Sequence, residues 1–337
     1  MNKNMDDDSD LERFMDRLHN RNFDAETCFL CARRLEPLGP TAEHVIPRWA
    51  QKRFDLWDQT IKLLNGTHIP YRYLTVPCCD ECNKYRLHPI EDSVLAAVEN
   101  GAEAVKALGN RVLWLWLGKI IYGLLYRELL LPFDRRDPTK GTIINDSLLR
   151  EYETHLILLQ QARGKLETVD FVPGSIFIFN CQQPQTALKQ WDLLDNIDSL
   201  FIGVRMGRVG IVGSLCDGGA QSMSSVFPDE VFRMQLHPMQ FREVCATVAY
   251  RASTATRIPH LLTVEGTPHK TYQLPLMGYS LKPLFETWEP AVYAKFLAAY
   301  LGYKYDDVFF PPDKVLTFMV NSDRSFRYFP LDTDEGA

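Results

Sequence analysis

Apolar and polar positions alternate on two different periods along this chain, and the change of period divides it. Leu11, Phe14, Met15 and Leu18 recur at helical spacing, so a short amphipathic helix is expected after the acidic start (Asp6, Asp7, Asp8, Asp10), which reads as disordered. Thr41 to Ile46 and Ile69 to Val76 have the β-branched content of two short strands, each stopped by a proline (Pro47, Pro77). Asn65-Gly66-Thr67 is the turn signal between them. A helix is expected from Cys82 onward, with Pro89 kinking or breaking it. Residues 91–100, 102–108, 111–131 and 148–163 then read as helices, with Gly101 and Gly109-Asn110 as joints.

From about Val169 the pattern becomes mixed. Ser175 to Asn180 and Leu200 to Leu215 read as strands, the latter folding back at Met206-Gly207-Arg208. Phe241 to Arg257 and Ala291 to Leu301 read as helices, and Val315 to Val320 as a late strand. The fold class is therefore α+β. Its expected divisions are an acidic tail and helix over 1–24, a small module over 25–92, a helical region over 93–168 and a mixed α+β region over 169–337. That last region carries no recognisable chemical motif, and recognition, sensing or oligomerisation is the role left for it.

Composition changes this picture in three places. The net charge of -6 argues against a wholly basic nucleic-acid wrapper, yet residues 28–88 hold nine Lys/Arg against six Asp/Glu, so a polyanion would approach that segment. The most apolar stretch, Val112 to Leu131, is interrupted by Lys119 and Arg127. Mid-span charges are costly in a bilayer, so a buried or amphipathic helix is expected and a membrane partner is not. The polar N-terminus lacks the apolar core of a secretion signal, and eight cysteines without such a signal point to metal binding in a reducing compartment, the cytoplasm.

Candidate chemistry is confined to Cys28–His88. Cys28-x-x-Cys31 and Cys79-x-x-Cys82 repeat one spacing, and four thiolates in two such turns suit a tetrahedral structural zinc ion. Cys78 offers a competing register, and Cys79 is chosen because it reproduces the spacing of the first pair. Cys181, Cys216 and Cys245 are isolated and read as small apolar residues. Between the pairs lies Glu43-His44, and Asn83 follows Cys82. A histidine is suited to act as general base near neutral pH, and a carboxylate with an amide oxygen suits a hard divalent ion. On a regular strand Glu43 and His44 point to opposite faces, so a shared site requires a bend or bulge.

Cys28-x-x-Cys31, Glu43-His44-Val45-Ile46-Pro47 and Cys79-x-x-Cys82-Asn83 together resemble the zinc-containing HNH endonucleases of the His-Me finger (ββα-metal) superfamily, over about residues 25–90. The resemblance implies a DNA endonuclease, with RNA left open as substrate. It also implies His44 as general base, Glu43 and Asn83 on a catalytic Mg2+ or Mn2+ ion, and Cys28, Cys31, Cys79 and Cys82 on Zn2+. The family often carries a further Asn before the second Cys pair, where this chain reads Tyr71 to Pro77, so a main-chain carbonyl near Tyr73 is expected to orient the base. Arg48, Lys52, Arg53, Lys84 and Arg86 are candidate phosphate contacts, each with a solvated-face reading beside it. Trp49 and Trp57 read as core, while His68 and His88 hold no motif position. By analogy the chain is a phage-defence or restriction effector, with a homo-oligomer or regulatory partner engaged through its C-terminal region. The alternative is a non-catalytic zinc module that binds nucleic acid or a protein partner.

Overall fold

A computed structural model of the chain describes residues 8–224, 226–277, 281–323 and 325–331. The chain is mixed α+β. It opens with α1 (Leu11–His19), β1 (Pro40–His44), α2 (Arg48–Arg53), β2 (Thr60–Lys62), β3 (His68–Pro70) and β4 (Thr75–Cys79). Helices follow as α3 (His88–Asn100), α4 (Ala102–Ala107), α5 (Asn110–Leu129), α6 (Asp146–Glu151) and α7 (Glu153–Leu159). Then come β5 (Leu166–Thr168), β6 (Ser175–Cys181), β7 (Trp191–Asn196), β8 (Phe201–Met206), β9 (Val209–Ser214), α8 (Asp229–Arg233), β10 (Gln235–Leu236) and α9 (Pro238–Ser253). The chain closes with β11 (Leu261–Val264), β12 (His269–Gln273), α10 (Pro290–Leu301), α11 (Tyr305–Val308), β13 (Phe309–Phe310) and β14 (Lys314–Val315).

These elements gather into two compact units. The first takes Met1–Leu95, Leu115–Phe171 and His260–Leu274; the second takes Ala96–Trp114, Val172–Pro259 and Pro275–Ala337. No helix among the described residues is long and apolar enough to cross a membrane. The expectation of disorder at the N-terminus lies, for residues 1–7, outside the described residues. Asp8, by contrast, is buried, and Asp10 caps α1 by accepting from the Arg13 amide at 3.0 Å.

In the first unit β1 pairs antiparallel with β4, from Pro40 opposite Cys79 to His44 opposite Thr75. The expected returning strand over Ile69–Val76 is two strands, separated by a single 3₁₀ turn at Tyr71–Tyr73. The Asn65-Gly66-Thr67 turn therefore closes a small separate hairpin of β2 and β3, with Ile61 opposite Ile69. Proline explains the division. Pro70 cannot donate to a ladder, and its fixed backbone starts the turn that re-aims the chain toward β1.

Pro89 does not break the helix after Cys82. A π-helical turn over Glu81–Leu87 runs directly into α3, and the His88 amide reaches back to the Asn83 carbonyl. The wider turn is capped at His88, immediately before Pro89, and the helix continues through the proline as α3. The Leu115–Leu129 part of α5 supplies the core, with Trp116, Leu117, Ile120, Tyr122, Leu125 and Tyr126 buried. Gly123 lets β1's exit approach closely, since a Cβ there would meet Val45 Cγ1 at 3.1 Å. The helix expected over 148–163 is divided at Tyr152 into α6 and α7 and ends in a 3₁₀ turn, Gln160–Arg163. A three-stranded sheet, β11-β12-β5, completes the unit.

The second unit is built on a five-stranded sheet in the order β10-β6-β9-β8-β7, antiparallel except for β10 beside β6. The expected hairpin at Met206-Gly207-Arg208 joins β8 to β9. Phe179, Phe201 and Val212 on one sheet face pack with Phe241, Val244, Cys245 and Val248 of α9. Tyr250 and Ala246 of α9 meet Tyr293, Ala294 and Leu297 of α10. Of the late strand expected over Val315–Val320, Val315 pairs with Phe309 of β13 and Val320 forms an isolated antiparallel bridge with Phe326. Cys181 and Cys245 are fully buried in this core as small apolar residues, whereas Cys216 is exposed at residue level.

Candidate metal centre and the end of strand β1

The first Cys pair sits in a tight turn before β1, where the Cys28 amide donates to the Arg33 carbonyl and the Ala32 amide to the Cys28 carbonyl. Ala32 takes a positive φ of 59° within this turn, immediately before Arg33, whose carbonyl accepts from the Cys28 amide. The second pair is supplied by the last residue of β4 and the π-helical turn that follows. The Phe29 amide donates to the Pro77 carbonyl, so the turn docks against β4 by a main-chain bond.

The ligand atoms of Cys28, Cys31, Cys79 and Cys82 lie within 4.8 Å of one another, and all four residues are buried. Tetrahedral Zn–S bonds of about 2.3 Å put neighbouring sulfurs about 3.8 Å apart. Cys31 and Cys79 are 3.8 Å apart. Four soft donors at that spacing in a buried pocket fit a metal such as zinc. The register ambiguity is resolved for Cys79. Cys78 is opposite Thr41 on β1, with its sulfur 4.0 Å from Cys28, and stands outside the four-sulfur group. Contacts from Cys28, Cys79 and Cys82 hold the Cys31 thiol below its ordinary range, and the contacts among the same four sulfurs raise that of Cys82.

The β1–β4 ladder is regular through His44, and the Val45 amide continues it by donating to the Leu74 carbonyl. No bulge intervenes, so Glu43 and Thr41 share one face of β1 and His44 the other. Asn83 belongs to the Glu43 face, because its Nδ2 donates to Thr41 Oγ1 at 3.0 Å. The structure thus brings Asn83 to the Glu43 side of the strand and turns His44 away from it.

His44 is half-buried and stacks on Trp57, with ring centroids 6.2 Å apart and planes 28° apart. Trp57 is half-buried too, so the expectation that it is simply core misses this contact. Arg48 lies over the same indole, its guanidinium carbon 5.9 Å from the Trp57 ring centroid. Burial lowers the His44 pKa, and the Arg48 and Lys119 charges lower it further against a smaller opposing effect of Glu91. Tyr73, whose carbonyl is expected to orient the base, ends the 3₁₀ turn before β4 and is exposed.

Glu43 is buried and ion-paired with Lys119 of α5, which also reaches Glu91 of α3 at 2.7 Å. The Lys119 Nζ donates to the His44 carbonyl at 2.7 Å and lies 3.3 Å from the Val45 carbonyl. One ammonium thus holds two carboxylates and the end of β1. Those carboxylates raise the Lys119 pKa, keeping it charged. One positive charge between two negative ones leaves a surplus, and burial pushes the Glu43 carboxyl up to about 7. Sequence reasoning passed over Lys119 and Glu91, although a lone lysine within the apolar stretch Val112–Leu131 was the available signal.

Among the basic candidates, Arg48 and Lys52 are exposed one turn apart on α2, with Arg53 also exposed. Lys84 pairs with Asp80 at 2.7 Å and Arg86 with Glu81 at 3.1 Å, so both are partly neutralised locally. His68 and His88 are exposed, the latter 3.6 Å from Asp92. No family model, curated protein or solved structure matches this chain.

Proposed function

We propose that the chain is a metal-dependent endonuclease of the zinc-containing HNH kind, hydrolysing phosphodiester bonds in DNA. The observation that carries this reading is the buried four-sulfur cluster, which ties the turn before β1 to the end of β4 and to the turn bearing Asn83. Glu43 and Asn83 lie on one face of β1 and His44 on the other, all within the segment that the HNH resemblance covers. His44 is the general base. With its pKa lowered, the imidazole is neutral near pH 7 and free to take a proton from water. Trp57 restrains the ring by stacking, and the Lys119 bond to the His44 carbonyl fixes the strand end beneath it.

Glu43 and Asn83 offer hard oxygen donors on one strand face, a donor type suited to Mg2+ or Mn2+. Lys119 engages one Glu43 oxygen, and an ionised carboxylate has about four lone-pair sites to share. Such an ion, when bound, supplies charge neutralisation at the phosphate and the departing 3'-oxygen. Arg48 and Lys52 are the first candidates to meet DNA phosphates, ahead of Arg53, Lys84 and Arg86.

A second reading, a non-catalytic zinc module binding nucleic acid or a protein partner, is favoured by the regular ladder that turns Glu43 and His44 to opposite faces. Duplex DNA, single strands, branched DNA and RNA incubated with Mg2+, Mn2+ or Ni2+ separate the two. The endonuclease reading expects cutting that leaves 5'-phosphate ends and stops in a chelator of the divalent ion. Binding without cutting under every condition contradicts it. A role in phage defence or restriction, with control by a partner or self-association through the C-terminal residues, rests on family analogy alone.

A further inference from the structure

The β1–β4 ladder leaves one face of β1 open, and it is the face that carries His44. Pro40 and Ala42 on that face are exposed and His44 is half-buried, whereas Glu43 on the other is buried. Thr75 and Pro77, the β4 partners of His44 and Ala42, are half-buried as well. Arg48 and Lys52 stand exposed one turn apart on α2, and neither has a carboxylate partner among the described residues. Arg48 lies over the same Trp57 ring that stacks on His44. Cations without a local counter-charge attract backbone phosphates.

A fixed aromatic ring stands nearby. Tyr73 is two residues before Thr75, the ladder partner of His44, so its Cα lies within about 7 Å of that of Thr75. Tyr73 is 57% exposed, and one side of its ring is covered by Arg72, whose guanidinium carbon is 4.8 Å from the ring centroid. Arg72 is itself pinned, because it ion-pairs with Asp58 and its Nη1 donates to the Trp57 carbonyl at 3.3 Å. The Tyr73 ring has no other aromatic or cationic partner among the described residues. A lone exposed tyrosine is ordinary. A ring immobilised from behind and open in front, by contrast, stacks on a base with little further ordering. In an intact duplex each base is already stacked within the helix, so such a ring serves only a base that is unpaired or turned out. We propose that Tyr73, backed by Arg72, is a stacking platform for an unpaired base, with Arg48 and Lys52 on neighbouring phosphates. The substrate class is then single-stranded or locally unpaired DNA. The inference rests on the endonuclease reading for its choice of DNA, and it is tested by binding alone.

The test uses the full zinc-loaded chain without added Mg2+ or Mn2+ and reads fluorescence anisotropy of a labelled oligothymidine and of a duplex of equal length. The parent is expected to bind the single strand more tightly. Tyr73→Ala is expected to weaken single-strand binding about five-fold or more, the lower end of what one stacked base contributes, and to leave duplex binding unchanged. Tyr73→Phe, which keeps the ring, is expected to recover most of that loss. A fluorescent base analogue in the single strand should be quenched on binding the parent and not on binding Tyr73→Ala. Replacing Arg48 and Lys52 together with Gln should weaken both forms and lower the salt dependence on the single strand by about 1.4 in log–log slope, the amount expected for two phosphates. Unchanged single-strand affinity in Tyr73→Ala overturns the proposal, as does equal loss in Tyr73→Ala and Tyr73→Phe, or a parent that binds duplex as tightly as single strand. Tyr73-dependent binding by a chain that never cuts would support the platform while ending the endonuclease reading. A chain that cuts but binds independently of Tyr73 would end the platform alone.

Discussion

Replacing Lys119 with Met tests how the end of β1 is held. Met matches the lysine stem in length and apolarity, so packing within α5 is retained while the ammonium is lost. Glu43 and Glu91 then face each other without the cation that both engage, and the His44 carbonyl loses its donor at 2.7 Å. Removing one partner from a buried ion pair costs about 3–5 kcal/mol. Over a unit of this size that lowers the melting temperature by about 10 °C or more. The deficit depends on pH. Glu43 stands at about 7 even beside Lys119, whose charge lowers it, so without that charge the carboxyl holds its proton to higher pH still. Folding then takes up a proton that the unfolded chain has released, and the variant loses stability relative to the parent as pH rises. Thermal melts at pH 5 and pH 8 measure this. A Lys119→Met/Glu43→Gln/Glu91→Gln variant is expected to regain most of the loss, because no uncompensated charge remains. Equal melting temperatures for parent and Lys119→Met at pH 8, or a deficit that does not change with pH, would refute the reasoning.

Other consequences follow from the same chemistry. Cys82→Ser should abolish tight zinc binding, measured as metal per chain after dialysis, whereas Cys78→Ser should leave one zinc per chain, since its sulfur stands outside the group. In the second unit, burial pushes Glu243 up to about 7 although it accepts from Thr317 Oγ1 and the Phe318 amide at 2.6 Å. The folded chain therefore keeps a proton that the unfolded chain releases between pH 4.5 and 7, and this contribution to stability is lost as pH rises through that window. Glu243→Gln should remove up to on the order of 3 kcal/mol of that pH dependence, read as denaturant midpoints at pH 5 and 7.5. His155, buried against the Gly118 carbonyl and lowered to about 4, acts in the opposite sense. The unfolded chain binds its proton first, so acidification from about pH 6.5 to 4 should weaken the parent more than a His155→Gln variant.

Much of the metal centre was legible because its information is local. A two-residue spacer between cysteines implies a turn that presents both sulfurs to one point, and the structure joins the chosen pairs, Cys28/Cys31 and Cys79/Cys82. Strong periodicity likewise located β6, β8, β9, α9 and α10. What escaped was long-range. The partner of β1 depends on where Pro70 turns the chain, and a reading of β-branched runs merges β3 with β4. β11 and β12 return to the first unit from almost a hundred residues beyond β5, a pairing no local pattern encodes. Lys119 and Glu91 gain meaning only from Glu43, and Asp8 only from three arginines up to 155 positions away. Buried charge must find its complement in space, and sequence spacing carries no record of that.

The most direct measurement is supercoiled-plasmid cleavage by His44→Ala, run beside the parent in Mg2+ and Mn2+ with zinc content and far-ultraviolet circular dichroism recorded on the same samples. The account predicts a parent that nicks and linearises the plasmid and a variant that is folded, carries one zinc per chain and leaves the plasmid intact. A folded, zinc-loaded His44→Ala protein that cuts at the parent's rate would contradict it.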